Sequence, residues 1–231
     1  ELNPNGNWEN KIILVEKNTP PKEVIDKLLE IRSKKKKPFF DDKTQLDLNC
    51  LWISALVAAD DILPKNGYLK LAEEFFSKIE SKYLKNDIYH SLSKEVVFIE
   101  DYAFLIKALN DLSDKTMNFR YKDLAKKLCK EAFNKFYLFE KNIFQKNQKN
   151  SNDIFFNPID IGDNTIPNGN AIMLINLIKL GQLEEAKKLS ISLNGYLNIY
   201  QQHMMTAIRA LDFFNNVNGG ENCNETGCKT K

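Results

Sequence analysis

Two kinds of helical segment alternate along this chain, and this alternation constrains the fold more than any other feature. One kind is apolar around most or all of its circumference, over 46–63, 98–112, 170–180 and 199–214. The other carries a single apolar stripe, over 22–35, 68–84, 121–136 and 183–194. A helix that is apolar all round must be covered on every side, whereas a striped helix covers another element. The alternation therefore predicts an all-α toroid in which outer helices surround a ring of inner helices.

The spacing of the inner segments separates this toroid from a superhelical repeat. A tetratricopeptide array repeats about every 34 residues, and the inner segments here share no constant period. A solenoid is therefore the second choice. The apolar run 11–15 predicts one short N-terminal strand. We assign the toroid to residues 1–215 and a polar, flexible tail to 216–231.

Composition argues against nucleic-acid and membrane partners. The formal net charge is only +2, and arginine supplies few of the 33 basic residues, although phosphate recognition favours arginine. The four lysines at 34–37 fit the solvated C-terminal end of a helix. No apolar run reaches the roughly 18 residues that span a bilayer. No signal peptide is visible, so we expect a cytoplasmic protein.

The cysteines and histidines do not form a metal-binding motif. Cys50 and Cys129 fall within helical patterns, where a buried apolar role is expected. Cys223 and Cys228 lie in the polar tail, and a disulfide, free thiols and tail disorder all stay open for them. Two cysteines offer half of the four ligands that structural zinc needs, and two histidines exclude a His-rich site. No metal or cofactor is predicted.

Acidic and amide side chains gather where the inner helices begin. The long connections, 85–97 and 137–169, both run from an outer helix to the next inner one, and loops of that length are often functional. The polar residues at this end are Asp41, Asp42, Lys43, Glu100, Asp101, Tyr102, Asp160, Asp163, Asn168 and Asn170. Paired carboxylates in a cleft supply the proton donor and the base or nucleophile of glycoside hydrolysis. The competing interpretation is that these residues only cap helix N-termini.

Asp101 is the strongest single candidate among these acids. At about 100° per residue, Asp101 falls beside Leu105 at the edge of the apolar stripe, while Glu100 points toward solvent or the loops. An acid on the inner face is hard to explain as a solvated charge. His203, at the start of the last inner segment, could also reach this end, and a structural role is its alternative.

Four motifs, in this order, resemble the C-terminal part of the spermatogenesis-associated protein 20-like, thioredoxin-domain family, which includes the bacterial YyaL-type proteins. The motifs are "NGNWENKIIL", "LLEIRSKKKKPFFDDK", "FIEDYAFLIKAL" and "DNTIPNGNA". The resemblance runs from near residue 5 to about residue 215. It implies an N-terminal thioredoxin-like domain followed by a six-hairpin, glycosidase-like toroid. The chain would then be a fragment that holds an incomplete toroid and no CxxC motif.

The resemblance also carries over individual residues. Positions that match the motifs are Asp41, Asp42, Lys43, Asn49, Glu100, Asp101, Tyr102, Asp163, Gly169 and Asn170. We take Asp101, Asp41 and Asp42 as catalytic candidates and the other polar positions as ligand-binding candidates. The chain departs from the family at Leu48, where a tryptophan is usual, and at Cys50, where a glycine is usual. Losing that aromatic would remove a surface on which a sugar could stack.

The leading functional hypothesis is a cleft that binds or processes a carbohydrate, with a saccharide or sugar-like small molecule as its partner. The alternative is a non-catalytic helical scaffold that binds a protein or peptide beside a redox domain. A weaker hypothesis is a thiol function at Cys223 and Cys228. If the toroid is incomplete, its uncovered inner helices should expose apolar surface and favour self-association.

Overall fold

The computed structural model describes residues 5–13, 15, 18–84, 87–93, 95–149, 157–218, 223–224 and 227–228. The chain divides into two compact units, 1–42 and 43–231. The described residues of the first unit include one helix, α1 (Lys22–Ser33), whose residues are all exposed. The short strand predicted over 11–15 is not formed by the described residues of that segment, which make a single bridge between Trp8 and Lys11. A lone extended run is unstable without a pairing strand.

The second unit consists of inner and outer helices in alternation. In chain order these helices are α2 (Leu46–Ile62), α3 (Tyr68–Tyr83), α4 (Ile99–Thr116), α5 (Phe119–Phe136), α6 (Gly169–Lys179), α7 (Leu183–Tyr200) and α8 (Met205–Asn218). Helices α2, α4, α6 and α8 pack side by side in that order, and α3, α5 and α7 each pack on the inner helix before them. The predicted alternation is confirmed. Nearly all of α4 is buried, whereas α5 buries only one stripe.

The last hairpin begins later than the sequence pattern predicts. The inner segment was expected over 199–214, but α7 continues to Tyr200, a 3-10 turn covers Gln201–His203, and α8 starts at Met205. Leu197 packs against the core and extends α7 beyond its expected end. His203 therefore lies in the turn before α8 and not within the helix.

A small β-hairpin in the connection between α5 and α6 was not predicted. Strands β1 (Tyr137–Leu138) and β2 (Ile143–Phe144) pair antiparallel. The Phe144 ring lies 5.0 Å from that of Phe133 on α5. On the outer side of β2, Asn170 accepts a hydrogen bond from the Phe144 N–H and donates one to the Phe144 carbonyl, both at 2.9 Å. These contacts fix the hairpin to the first turn of α6.

Polar side chains join α4 to α6 along their length. Asn176 donates a hydrogen bond to the Ala103 carbonyl at 2.8 Å, and Asn110 donates one to the Asn176 side-chain oxygen at 3.3 Å. Both asparagines are fully buried. Near the C-terminal ends of the two helices, Lys179 forms an ion pair with Asp111 at 3.1 Å. The inner helices are thus held in register by buried amides and by ion pairs at the end where the helices finish.

The four cysteines fall into a buried pair within the helices and a second pair near the C-terminus. Cys50 and Cys129 are buried and unpaired, as predicted. Two further strands, β3 (Cys223–Asn224) and β4 (Gly227–Cys228), pair so that the backbones of Cys223 and Cys228 lie opposite each other. The side chains of these two cysteines lie outside the described residues, so their thiol chemistry stays a prediction. Among the helices that the structure describes, none combines the length and apolarity required to cross a bilayer.

Candidate functional site

A cavity of about 470 Å³ opens in the second unit where the inner helices begin. Its walls are the start of α2, the connection between α3 and α4, the start of α4, and the loop that leads into α6. The lining residues are Gln45, Asp47, Leu48, His90, Phe98, Glu100, Lys146, Asp160, Gly162, Asn164, Thr165, Ile166, Pro167 and Asn168. A second cavity, of about 360 Å³, lies where these helices end. Its three lysines are each ion-paired with aspartates, so it is the less promising of the two.

Glu100 is the most unusual side chain in the cavity wall. It lies in the first turn of α4, only 8% of it is exposed, and its Oε2 has no hydrogen-bond partner among the described residues. Burial raises its pKa to about 7. A Cβ at Gly169 would lie 3.3 Å from the Glu100 Oε1, so the glycine leaves room for this carboxyl beside α6. Glu100 therefore faces the loop side of the cavity and not bulk solvent.

Asp101 is fully buried and does not line the cavity. Its Oδ2 accepts a hydrogen bond from the Phe98 N–H at 2.9 Å, which caps the first turn of α4. Its Oδ1 lies 3.0 Å from the Nδ1 of His90. The capping interpretation is therefore correct for one oxygen of Asp101, while the other oxygen contacts a cavity residue. Sequence spacing alone could not distinguish these two roles.

His90 links Asp101 to the cavity. Its ring lines the cavity, and its Nε2 lies 3.0 Å from the Nε2 of Gln45. The hydrogen bond with Asp101 raises the pKa of His90, and burial opposes that rise. Sequence analysis missed this residue as a site candidate. Its position in the long connection that precedes α4 was the available signal.

Asp47 is a second residue that sequence analysis missed. It lies in the first turn of α2, is buried, and accepts a hydrogen bond from the Leu48 N–H at 2.8 Å. Burial and the nearby Asp101 carboxylate raise the pKa of Asp47. Ligand atoms of Asp47, His90 and Asp101 lie within 4.8 Å of one another, so this cluster could hold a metal ion. The rule that selected Glu100, an acid in the first turn of an inner helix, applies equally to Asp47.

Asp163 fixes the loop that forms one wall of the cavity. Its Oδ1 accepts a hydrogen bond from the Asn168 N–H at 2.9 Å, and its Oδ2 accepts one from the Thr206 N–H at 2.7 Å. Asn168 in turn caps α6 by accepting a hydrogen bond from the Ala171 N–H at 3.0 Å. Asp163 thereby joins the starts of α6 and α8.

Two more predicted polar residues also support this wall. The carbonyl of Asp160 accepts hydrogen bonds from the side-chain amides of Asn168 and Asn170, at 2.9 and 3.0 Å. The side chain of Asp160 pairs with Lys146 at 3.3 Å. The Asn170 side chain is also hydrogen-bonded to both the N–H and the carbonyl of Phe144. It therefore supports the wall from behind, and it is absent from the cavity lining.

The remaining candidates of the second unit are absent from the cavity lining. Tyr102 is fully buried on the other side of α4, with its hydroxyl 3.4 Å from Glu131 on α5. Asn49 donates a hydrogen bond to the Gln45 carbonyl at 2.7 Å, one turn back along α2. Lys43 is exposed at the start of the second unit. The catalytic candidates Asp41 and Asp42 are exposed in the first unit, and their roles stay predictions. Leu48, the departure from the family pattern, lines the cavity.

No known protein-family model matches the sequence. A search of curated proteins finds Uncharacterized protein B0495.5 of Caenorhabditis elegans, which is 29% identical over 184 residues. That alignment covers 72% of this chain and 25% of the worm protein. The chain therefore spans about a quarter of the length of this relative.

Three solved structures with a similar fold are of enzymes whose names refer to sugars. The cellobiose 2-epimerase of Bacillus thermoamylovorans has a TM-score of 0.58 at 17% identity, over 78% of this chain and 57% of that one. The GH76 alpha-mannanase of Bacteroides thetaiotaomicron has a TM-score of 0.62 at 15% identity, over 81% and 55%. A sugar epimerase from a ruminal bacterium has a TM-score of 0.52 at 15% identity, over 70% and 46%. This chain thus spans about half the length of these neighbours.

Together the helix order and these similarities define the class of fold. The second unit has an all-α toroid fold of inner and outer helices, which confirms the architecture predicted from the alternating helices. At such low identities the similarity shows the fold alone. The chemistry of the cavity has to be argued from its own residues.

Proposed function

We propose that the cavity binds and processes a saccharide, and that Glu100 is its proton donor. One observation carries this proposal: a buried carboxyl lines the cavity and lacks a hydrogen-bond partner for its Oε2 among the described residues. Because burial raises the pKa of Glu100 to about 7, this carboxyl keeps its proton at pH values up to about neutral. A general acid needs that state, and a match between its pKa and the working pH favours proton transfer.

The rest of the lining suits a sugar. Asn164 and Thr165 place polar side chains in the wall, and Lys146 and Asp160 add a charged pair. Phe98 supplies an apolar surface. Hydroxyl groups of a saccharide need both donors and acceptors, while its C–H faces need apolar contact. The fold adds support, since the neighbours named above include an epimerase of cellobiose and an alpha-mannanase.

The proposal is tested by binding and turnover of cellobiose and alpha-mannan. Isothermal titration calorimetry measures binding, and chromatography separates shortened products from epimers of unchanged length. We expect Glu100→Gln to bind the saccharide and to lose turnover by about 10²- to 10⁴-fold, the usual contribution of a general acid. Glu140→Gln, which changes an exposed glutamate after β1, should match the wild type.

Two results would overturn the proposal. One is a wild-type protein that neither binds nor converts these saccharides, and the other is full turnover by Glu100→Gln. Absence of saccharide binding would favour the non-catalytic scaffold for a protein or peptide partner. Asp41 and Asp42 stay predicted catalytic candidates, and their asparagine variants belong in the same binding and turnover assays.

We also propose that the chain belongs to the spermatogenesis-associated protein 20-like, thioredoxin-domain family. The four motifs support this membership, and the toroid is the fold that the resemblance implies. Sequencing the gene upstream of Glu1 tests it, with a thioredoxin-like domain as the expected result. An unrelated upstream domain would contradict it. The cytoplasmic location stays a prediction, which fractionation of the source cells can test.

A further inference from the structure

His90 is fixed in the cavity wall by its backbone and by its ring. Its N–H donates a hydrogen bond to the Val96 carbonyl at 2.7 Å, and its carbonyl accepts one from the Leu46 N–H at 2.9 Å. The ring meets that of Phe98 edge to face, with centroids 5.1 Å apart. Only 18% of the side chain is exposed. The imidazole is therefore held in one orientation beside the cavity.

Asp101 determines which nitrogen of the His90 ring carries a proton. An ionised carboxylate can only accept hydrogen bonds, so the Nδ1 at 3.0 Å must donate to it. The other Asp101 oxygen is occupied by the Phe98 N–H. When the imidazole is neutral, its Nε2 then keeps a lone pair. A buried carboxylate thus selects the tautomer of a cavity residue.

The Nε2 of His90 faces a replaceable partner. The side-chain amide of Gln45 lies 3.0 Å away and donates an N–H to this lone pair. Gln45 lines the same cavity as Glu100. A ligand group that displaces the Gln45 amide would therefore meet a proton acceptor, in a cavity whose wall also holds a proton donor.

We propose that His90 is the proton acceptor of the cavity and that Asp101 is the positioning residue that holds it. The proposal rests on the proposed function, in which Glu100 is the donor. In the step, a C–H bond next to the carbonyl of an open-chain saccharide breaks and its proton passes to the His90 Nε2. The electron pair of that bond forms a C=C bond, and the carbonyl oxygen takes the Glu100 proton, which gives an enediol. The reverse transfers restore the carbonyl and both residues, and they give the epimer when the carbon is protonated on its other face.

A metal ion in the same cluster would require the opposite tautomer. The Oδ1 of Asp47 lies 3.9 Å from the His90 Nδ1, and with Asp101 these atoms could surround a cation. A metal-bound Nδ1 carries no proton, and the Nε2–H would then donate to its outer partner. The tautomer of His90 in the isolated protein therefore separates the two roles.

Long-range ¹H–¹⁵N spectra of the labelled chain read this tautomer without any substrate. The protein has two histidines, so His203→Gln assigns the His90 signals. We expect the Nδ1–H form in the wild type and a tautomer mixture in Asp101→Asn. Asp114→Asn, the same change on α4 near the helix end that pairs with Lys179, should leave the spectrum unchanged. An Nε2–H form in the wild type, or uptake of one equivalent of Zn²⁺ at His90, would overturn the proposal.

Turnover supplies the second test. His90→Gln and Asp101→Asn should each lower kcat by about 10²- to 10⁴-fold, as removal of a general base does, with little change in KM. His90→Gln leaves the Asp101 cap of α4 in place, so it guards against a variant that fails to fold. If Glu100→Gln loses turnover and His90→Gln retains it, this inference is wrong and the proposed function survives. If the wild type converts no saccharide, the proposed function fails, the acceptor role fails with it, and the spectra still decide whether Asp101 positions His90.

Discussion

Removing the charge of Glu100 should change how stability depends on pH. The ordinary pKa of a glutamate carboxyl is 4.5, and burial raises that of Glu100 to about 7. Between these values the unfolded chain loses the proton while the folded protein keeps it. Unfolding then releases a proton, so the free energy of unfolding falls as the pH rises through this window. Glu100→Gln cannot ionise and should lack this fall.

The magnitude follows from the difference between the two pKa values. A difference of one corresponds to about 1.4 kcal/mol, so full ionisation of Glu100 costs the folded state about 3 kcal/mol. Only 8% of the residue is exposed, so solvent screens little of this cost. Relative to the wild type, Glu100→Gln should therefore gain about 3 kcal/mol of stability between pH 4.5 and pH 8.

Urea denaturation followed by circular dichroism measures this gain. Unfolding free energies of the wild type and Glu100→Gln are compared at several pH values, and their difference removes the contribution of every other titrating group. Glu140→Gln is the control, since it removes an exposed carboxyl and should run parallel to the wild type. Parallel curves for Glu100→Gln and the wild type would show that the carboxyl is not held in its protonated form, and the reasoning about the proton donor would fail.

Three further predictions concern stability and association. Asp163→Ala removes the acceptor of two backbone N–H groups and should lower the free energy of unfolding, measured by urea denaturation, by about 3 kcal/mol. A loss below about 0.5 kcal/mol, the scale of a surface change, would contradict the conclusion that Asp163 joins the starts of α6 and α8. Asn110→Leu or Asn176→Leu alone strands a buried amide and should cost about 1–3 kcal/mol, whereas the double variant should cost less than the sum; strictly additive losses would refute the coupling. Leu48 and Trp52 are 46% and 50% exposed on α2, so serine at both positions should reduce self-association measured by sedimentation velocity. A wild-type protein that stays monomeric would contradict the prediction that these apolar residues cause self-association.

The helices were predictable because their signal is local. The apolar residues of α4 lie on most of its faces and so predict its extensive burial, and the stripe of α5 follows from helical spacing. The hairpin of β1 and β2 was not predictable in this way, because two-residue strands carry almost no pattern. It is held by Phe133 from α5 and by Asn170 from α6. Such contacts join residues that are distant in sequence.

The site was predictable in place but not in detail. The expected end of the inner helices does hold the larger cavity, and Glu100 and Asp163 contribute to it. Glu100 lines the cavity and its neighbour Asp101 does not. Glu100 is accommodated there because α6 approaches it at Gly169, and a helical wheel of α4 alone gives no information about α6. The contact between His90 and Asp101 likewise forms across a loop. The local sequence pattern therefore predicts where the cavity lies, whereas contacts between residues distant in sequence determine which side chains line it.

The side chain of Asn170 has a consequence for how a sheet edge can be buried. The edge of a two-stranded sheet presents unpaired N–H and C=O groups, and such groups cost free energy when they are removed from water without a hydrogen bond. Phe144 in β2 is fully buried, and the Asn170 amide occupies both of its backbone groups. One side chain thus takes the place of a neighbouring strand at this residue, so the short sheet is buried there without an unpaired backbone group.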